Sequence, residues 1–164
     1  MCGIAGIYNK DTSLLNHSVK HVDNMLNKME KRGPDNRGKF LSKSNKVVLG
    51  HNRLSIQDLD KRSNQPFVSK DGRYTLVFNG EIYNFKELRH QYLQGVDFRT
   101  ESDTEVLLEM FQLMGIKALD YFKGMFSFAI WDEYEENLIL VRDPYGIKPL
   151  YYAHGEFGFC FSSQ

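Results

Sequence analysis

The sequence has little cysteine, no excess of either charge and no long apolar run, and each shortage excludes a class of protein. Its 164 residues include two cysteines, Cys2 and Cys160, whose spacing is not CxxC, so nothing indicates a disulfide-stapled secreted scaffold. Lysine plus arginine and aspartate plus glutamate both number 21, which argues against a nucleic-acid partner and against a membrane-surface role. No apolar stretch approaches the ~18 residues of a membrane span.

The rest of the composition is typical of one globular domain. Hydrophobic residues make up 41% and charged residues 26% of a chain that is long enough to bury a core. The N-terminus has no charged lead before an apolar segment, so we expect no signal peptide and a cytoplasmic location. The five histidines show no metal-ligand spacing, and we expect no metal site.

Apolar spacing predicts a layered fold of strands and helices. Apolar residues alternate at four- and three-residue intervals over 15–29, which predicts a helix that ends by Gly33-Pro34. A second helix begins near Asn84, and a capping box of Ser102 and Glu105 opens a third, which Gly115 closes. Short apolar runs predict strands at 4–8, 47–50, 54–56, 74–78, 125–131, 138–141, 150–153 and 157–162. This order favours an α+β fold with helices packed outside layered sheets.

Cys2 is the residue with the clearest chemical potential. Once the initiator Met1 is removed, Cys2 carries a thiol and a free α-amine on one residue. The ordinary pKa of such an amine is ~7.7–8.0, so an appreciable fraction is neutral and can act as a base. This is the arrangement of an N-terminal nucleophile. On position alone, a small apolar residue that begins a buried strand is an equally good interpretation.

Other polar residues interrupt apolar elements. His51-Asn52-Arg53 lies between two predicted strands, where a buried arginine would need a carboxylate partner. Asn79-Gly80 follows a predicted strand and could supply the two donors of an oxyanion hole, although a simple Asn-Gly turn is the commoner meaning. Asp103 lies in a first helical turn, where the helix dipole favours acidic residues. The segment 142–149 predicts a rigid corner with an internal ion pair.

Together these segments resemble one family over essentially the whole chain. The resemblance is to the glutaminase domain of class II (N-terminal nucleophile) glutamine amidotransferases, most closely in the asparagine synthetase branch. The sequences of two of these segments, 32–35 and 53–56, differ from those of the phosphosugar and phosphoribosyl branches of the same class. Six segments occur in family order: 2–6, 32–35, 53–56, 79–84, 102–105 and 142–148.

The resemblance implies a fold and a set of site residues. The fold is a four-layer αββα sandwich of two mostly antiparallel sheets, the N-terminal-nucleophile hydrolase architecture. Cys2 would be the nucleophile, and Asn79 and Gly80 would stabilise the oxyanion. The residues implied to bind glutamine are Arg53, Leu54, Ser55, Ile56, Gln57, Asn79, Gly80, Glu81 and Asp103. Arg53 would bind the substrate carboxylate, and Asp103 would accept from its α-ammonium.

The implied activity is hydrolysis of L-glutamine to L-glutamate and ammonia through a γ-glutamyl thioester on Cys2. Residues 2–164 would be the N-terminal part of a longer synthetase, although Gln164 stands where the family usually has Glu. This half-reaction needs no metal or cofactor, and ATP and Mg²⁺ would act only in the acceptor domain that receives the ammonia. Aspartate is the simplest acceptor, which would give asparagine.

Three alternatives remain open at this point. The same glutaminase could serve amidation of a carboxylated sugar in surface-polysaccharide synthesis. A non-catalytic relative would bind glutamine without hydrolysing it. A Cys-His hydrolase would instead use Cys160 as its nucleophile, although Cys160 on an apolar strand is expected to be an inert core residue. The sequence does not indicate an oligomeric state.

Overall fold

The computed structural model describes residues 1–56 and 58–164, which form nine β-strands and three α-helices. Short 3-10 helices occupy Thr12–Leu14, Glu30–Arg32, Lys61–Ser63 and Gly115–Tyr121. The α-helices are α1 (Leu15–Lys28), α2 (Phe85–Tyr92) and α3 (Asp103–Met114). The strands are β1 (Gly3–Asn9), β2 (Asn36–Leu41), β3 (Val47–Arg53), β4 (Phe67–Val68), β5 (Tyr74–Ile82), β6 (Gly124–Asp132), β7 (Asn137–Arg142), β8 (Tyr151–Gly155) and β9 (Gly158–Ser162).

Two antiparallel sheets divide these strands. The first has the order β2-β3-β1-β9-β8, and the second has the order β4-β5-β6-β7. In the first sheet Gly3 pairs with Asn52, so the start of β1 lies beside the end of β3. In the second sheet Asn79 and Gly80 of β5 pair with Ser127 and Phe126 of β6.

Three hydrophobic clusters show that the layers are stacked as helix, sheet, sheet and helices. One cluster joins α1 to the outer face of the first sheet through Val22, Leu26 and Val48. A second fills the space between the sheets, where Trp131 and Phe161 are the largest fully buried side chains. The third packs α2 and α3 on the outer face of the second sheet. The predicted αββα sandwich is therefore confirmed.

The two-residue period of the strands decides which side chains face the space between the sheets. In β3, Val47 and Leu49 belong to the inter-sheet cluster, whereas Val48 faces α1. The same alternation directs His51 and Arg53 inward. In β5, Val77 is an inter-sheet residue, so Asn79 is directed inward as well. Polar side chains from both sheets thus meet at one end of the sandwich.

The structure differs from the sequence prediction in both of these strands. β3 runs unbroken from Val47 to Arg53, so His51 is a fully buried strand residue, and 54–56 is a loop instead of a strand. β5 continues through Asn79 and Gly80 to Ile82, so the interpretation of this dipeptide as a turn was wrong. Backbone pairing with β6 outweighs the local turn preference of Asn-Gly.

Two strands and one helix end were also missed. β2 alternates exposed and half-buried residues and carries Arg37 and Lys39, so it lacks an apolar run. β4 has only two residues. α1 ends at Lys28, and a 3-10 turn then leads to Gly33. A Cβ on Gly33 would collide with the Asn52 carbonyl oxygen, so this glycine permits the turn to pack against β3.

No helix among residues 1–56 and 58–164 is long and apolar enough to cross a membrane.

Candidate active site

A cavity of about 150 Å³ opens at the end of the sandwich where β1, β3, β5 and α3 converge. A cavity of this size is large enough for a benzene-sized molecule. Most of the predicted site residues line it, although they come from distant parts of the sequence. Those in the lining are Cys2, Arg53, Leu54, Ile56, Asn79, Gly80, Glu81 and Asp103.

The Cys2 thiol lies at the start of β1 against the residue that follows β3. Its Sγ accepts from the Leu54 N–H at 3.5 Å and lies 3.7 Å from the Leu54 carbonyl oxygen. Burial raises the pKa of the Cys2 thiol, and the Leu54 N–H, the amino terminus of the chain and Arg53 oppose this rise. The buried thiol therefore favours its protonated form, and a base must remove the proton before the sulfur can act as a nucleophile.

Arg53 ends β3 as a buried cation, 5% exposed, that neutral oxygens hold in place. Its Nη1 donates to the Asp60 carbonyl oxygen at 3.0 Å and to Asn64 Oδ1 at 2.7 Å, and its Nη2 donates to the Asp58 carbonyl oxygen. Arg53 forms no salt bridge within the described residues, so the expected carboxylate partner is not found in this part of the chain. A buried guanidinium without a counter-charge favours an anionic ligand.

Asn79 and Gly80 present a donor to the cavity from the middle of a paired strand. Asn79 is 1% exposed, and its Nδ2 has no hydrogen-bond partner in the described part of the chain. A buried donor without a partner costs about 1–3 kcal/mol, which favours binding of a ligand oxygen there. A Cβ on Gly80 would collide with the Met125 carbonyl oxygen and lie 2.7 Å from Phe126 Cα, so only glycine fits beside β6.

Asp103 is the first residue of α3 and lines the cavity together with Glu81. Its Oδ2 accepts from the Ile82 N–H at 2.9 Å. Burial raises the pKa of the Asp103 carboxyl to about 6, the nearby Glu81 carboxylate adds to this rise, and the Ile82 N–H opposes it. Asp103 forms no salt bridge with another described residue. A buried carboxylate without a cationic partner is suited to accept hydrogen bonds from a cationic ligand. Asp103 can therefore do more than interact with the dipole of α3.

The loop 54–56 forms the mouth of the cavity and is tied to the segment after α1. The Ser55 N–H donates to Asp35 Oδ2 at 2.7 Å, and the Asp35 N–H donates to the Arg53 carbonyl oxygen at 3.0 Å. The Ile56 side chain is exposed at the mouth. Gln57, which the sequence analysis placed among the binding residues, lies outside the described residues.

Arg32 belongs to the segment 32–35 but was given no role from the sequence. Its Nε donates to the Cys2 carbonyl oxygen at 3.4 Å, and its Nη2 is buried without a partner among the described residues. With Gly33 and Asp35, Arg32 thus supports the two chain segments beside the thiol. The motif itself was the available signal for this residue.

Gln65 and Lys148 also line the cavity. Gln65 had no sequence signal for a role, whereas Lys148 ends the motif segment 142–148 but was given no role. Gln65 Oε1 accepts from the Phe78 N–H at 2.6 Å, and its Nε2 donates to Thr104 Oγ1 at 3.5 Å, so it joins β5 to α3. Lys148 is 5% exposed, and its Nζ lies 3.1 Å from the sulfur of Met1.

The corner 142–149 is held by backbone hydrogen bonds. The Asp143 carboxylate accepts from the N–H groups of Phe126, Ile147 and Lys148, and Arg142 donates to the Lys148 carbonyl oxygen. No salt bridge forms within this corner in the part of the chain that the structure describes, so the predicted ion pair was wrong.

Comparison with known proteins gives the family. A family model described as "Glutamine amidotransferase domain" matches residues 1–164. The chain belongs to this family. Asparagine synthetase [glutamine-hydrolyzing] 2 of Bacillus subtilis (strain 168) is 39% identical over 165 residues, which is 100% of this chain and 22% of the relative. Asparagine synthetase B [glutamine-hydrolyzing] of Escherichia coli (strain K12) is 37% identical and is matched over 96% of this chain and 28% of the relative.

A solved structure gives the same fold. The glutamine phosphoribosylpyrophosphate amidotransferase of B. subtilis, complexed with ADP and GMP, aligns with a TM-score of 0.80 at 22% identity. The alignment covers 99% of this chain and 42% of that chain. This glutamine amidotransferase domain thus has the predicted fold, and it spans about a quarter of the length of the two asparagine synthetases.

Outside the cavity, Cys160 lies in a second pocket. It is a free, half-buried thiol on β9 that borders a groove of about 890 Å³ beside α1, so it is less enclosed than a core residue. His17 and His21 line the same groove, but no hydrogen bond joins Cys160 to a histidine in the described chain. Among residues 1–56 and 58–164, no cluster of histidine, cysteine or acidic side chains is arranged to hold a metal ion.

Proposed function

We propose that this domain hydrolyses L-glutamine to L-glutamate and ammonia through a γ-glutamyl thioester on Cys2. The observation that carries the proposal is the set of groups around one small cavity. A thiol, a buried amide donor, a guanidinium that forms no salt bridge with a described residue and a buried carboxylate all line it. These groups match the amide, carboxylate and ammonium of glutamine in chemical type.

Substrate binding would use the charged groups of the cavity. The Arg53 guanidinium would pair with the α-carboxylate of glutamine, and the Asp103 carboxylate would accept from its α-ammonium. Glu81 and the loop 54–56 would line the same substrate, and Gln57 is proposed as a further binding residue. This orientation would direct the side-chain amide of glutamine toward Cys2.

The reaction would then proceed in two steps. The α-amine of Cys2, freed by removal of Met1, takes the thiol proton through a water molecule, and the sulfur attacks the amide carbon. The Asn79 amide and the Gly80 N–H donate to the resulting oxyanion. The carbon–nitrogen bond breaks as the amine returns the proton, and ammonia leaves. Water, deprotonated by the same amine, attacks the thioester carbon and releases glutamate and the thiol.

The proposed reaction needs no metal ion or organic cofactor in this domain. We further propose that the ammonia serves an ATP-dependent amidation elsewhere in a longer cytoplasmic protein, with aspartate as the acceptor. The similarity to asparagine synthetases supports aspartate, and a carboxylated sugar is the alternative. An assay of the full-length protein with glutamine, ATP and Mg²⁺, offering each acceptor in turn, separates the two by the amide formed.

Release of glutamate by the purified domain tests the glutaminase step. The parent should hydrolyse glutamine, Cys2→Ala should be inactive, and the matched control Cys160→Ala should retain the parent rate. Equal rates for the parent and Cys2→Ala would overturn the proposal. Glutamine binding without turnover by the parent would identify a non-catalytic relative, and loss of activity in Cys160→Ala alone would favour the Cys-His alternative.

A further inference from the structure

Lys148 is a buried cation beside the chain terminus for which the proposed reaction has no role. It is 5% exposed and forms no salt bridge within the described residues. Its backbone is fixed by the corner 142–149, where its N–H donates to Asp143 Oδ2 at 2.9 Å and its carbonyl oxygen accepts from Arg142 Nε at 2.8 Å. A buried charge without an ionic partner is destabilising, so its position calls for a physical explanation.

The contact of the ammonium indicates where its charge acts. Lys148 Nζ lies 3.1 Å from Met1 Sδ, and Met1, Cys2 and Lys148 line the same cavity. Five covalent bonds separate that sulfur from the Cys2 nitrogen, so the ammonium lies within about 10 Å of this nitrogen. Removal of Met1 takes away the sulfur and leaves the ammonium facing the end of the cavity where the new amine forms.

We propose that the Lys148 ammonium keeps the α-amine of Cys2 in its neutral, proton-accepting form. This inference rests on the proposed function, in which that amine is the base. A positive charge nearby disfavours a second positive charge, so it lowers the pKa of the amine toward neutral pH. Lys148 acts on the reaction through the amine and is therefore a positioning residue, with no contact to glutamine required.

Other charged groups near the amine also influence its pKa. The carboxylates would favour the protonated amine, but Asp103 already accepts from the Ile82 N–H and is assigned to the substrate ammonium. Arg32 donates to the Cys2 carbonyl oxygen, and Arg53 is assigned to the substrate carboxylate. The charged and titratable groups that face this end of the cavity are the Cys2 thiol, Arg32, Arg53, Glu81, Asp103 and Lys148.

The size of the effect follows from Coulomb's law. At about 10 Å and an effective dielectric constant between about 20 and 80, the repulsion corresponds to a pKa change of about 0.3–1.2 units. Lys148→Met removes the charge and nearly preserves the length and volume of the side chain. Lys148→Arg keeps the charge.

The test is the pH dependence of kcat with glutamine in the parent, Lys148→Met and Lys148→Arg, because kcat reports the pKa values of the enzyme–glutamine complex, in which Asp103 is paired with the substrate ammonium. Lys148→Met should move the midpoint of the acidic limb upward by about 0.3–1.2 pH units, so activity is lost mainly at low pH. Lys148→Arg should keep the parent midpoint. A purely structural role would lower activity at every pH without moving the midpoint, and that result would overturn the inference while the proposed function stands. An inactive parent would overturn the proposed function and this inference with it.

Discussion

Replacing Asp103 by asparagine should stabilise the fold while it weakens glutamine binding. The Asp103 carboxylate is 5% exposed, and burial raises its pKa from 3.8 to about 6. A difference of about 2 pKa units between the folded and unfolded states corresponds to about 3 kcal/mol of destabilisation at pH 7. Asparagine removes the charge and keeps an oxygen that can accept from the Ile82 N–H. The free energy of unfolding at pH 7 should therefore rise by about 1–3 kcal/mol.

The pH dependence of this gain has a definite sign. The folded parent binds its proton more tightly than the unfolded parent, so its stability falls as the pH rises from about 4 to about 6. The advantage of Asp103→Asn should therefore be near zero at about pH 4 and complete above about pH 7. Urea unfolding at several pH values measures it.

Activity should move in the opposite direction. A hydrogen bond between charged groups contributes about 1.5–3 kcal/mol, so Asp103→Asn should lower kcat/KM about 10–150-fold, mainly through KM. The control Asp97→Asn makes the same chemical change on a carboxylate that is 97% exposed. It should leave kcat/KM unchanged and should lower the stability by at most about 1 kcal/mol, because its ion pair with Lys70 lies at the surface. A variant that is less stable than the parent at pH 7, or one with an unchanged KM, would refute this reasoning.

The remaining predictions concern the oxyanion donor and two packed positions. Asn79→Ala should lower kcat by about 10²–10³ with a smaller change in KM, because it removes a donor that acts mainly on the oxyanion of the transition state; initial-rate kinetics measures this. Gly80→Ala should destabilise the fold by about 1–3 kcal/mol in urea unfolding, since its Cβ meets Met125 and Phe126. His51 is buried with a pKa lowered to about 3, chiefly by desolvation, so the parent should lose stability as the pH falls below about 6.5. His51→Gln should reduce this loss.

Each of these predictions has an outcome that contradicts it. An Asn79→Ala variant that changes KM and leaves kcat intact would assign the amide to substrate binding. A Gly80→Ala protein as stable as the parent would show that β5 and β6 can separate without cost. Identical acid unfolding of His51→Gln and the parent would mean that other groups control stability at low pH.

The sequence predicted most helices and strands of the layers because the residue patterns that indicate them lie within single elements. The apolar stripe of α1, the capping residue Ser102 and the apolar run of β6 each depend on neighbours within one element. The strand through Asn79 and Gly80 was interrupted in the prediction for the same reason. The dipeptide favours a turn locally, and its pairing with Ser127 and Phe126 depends on residues almost fifty positions away.

The site residues were recognised as motifs, but their environments required the structure. The sequence could not show that neutral oxygens of 58–64 hold Arg53, or that Asp103 has no cationic partner among the described residues. Gln65 was missed because long-range packing alone brings it to the cavity, and Lys148 was missed because its motif segment 142–148 does not indicate which of its side chains reach the cavity. Gln65 carries no sequence pattern that distinguishes it from a surface residue.

Covalent labelling of Cys2 tests the central claim most directly. The purified domain is treated with a diazoketone analogue of glutamine, and the modified peptide is identified by mass spectrometry together with the state of the amino terminus. We predict one label, on the sulfur of a peptide that begins at Cys2 with a free amine, and protection by excess glutamine. A label on Cys160, or no label on a protein from which Met1 has been removed, would contradict the account.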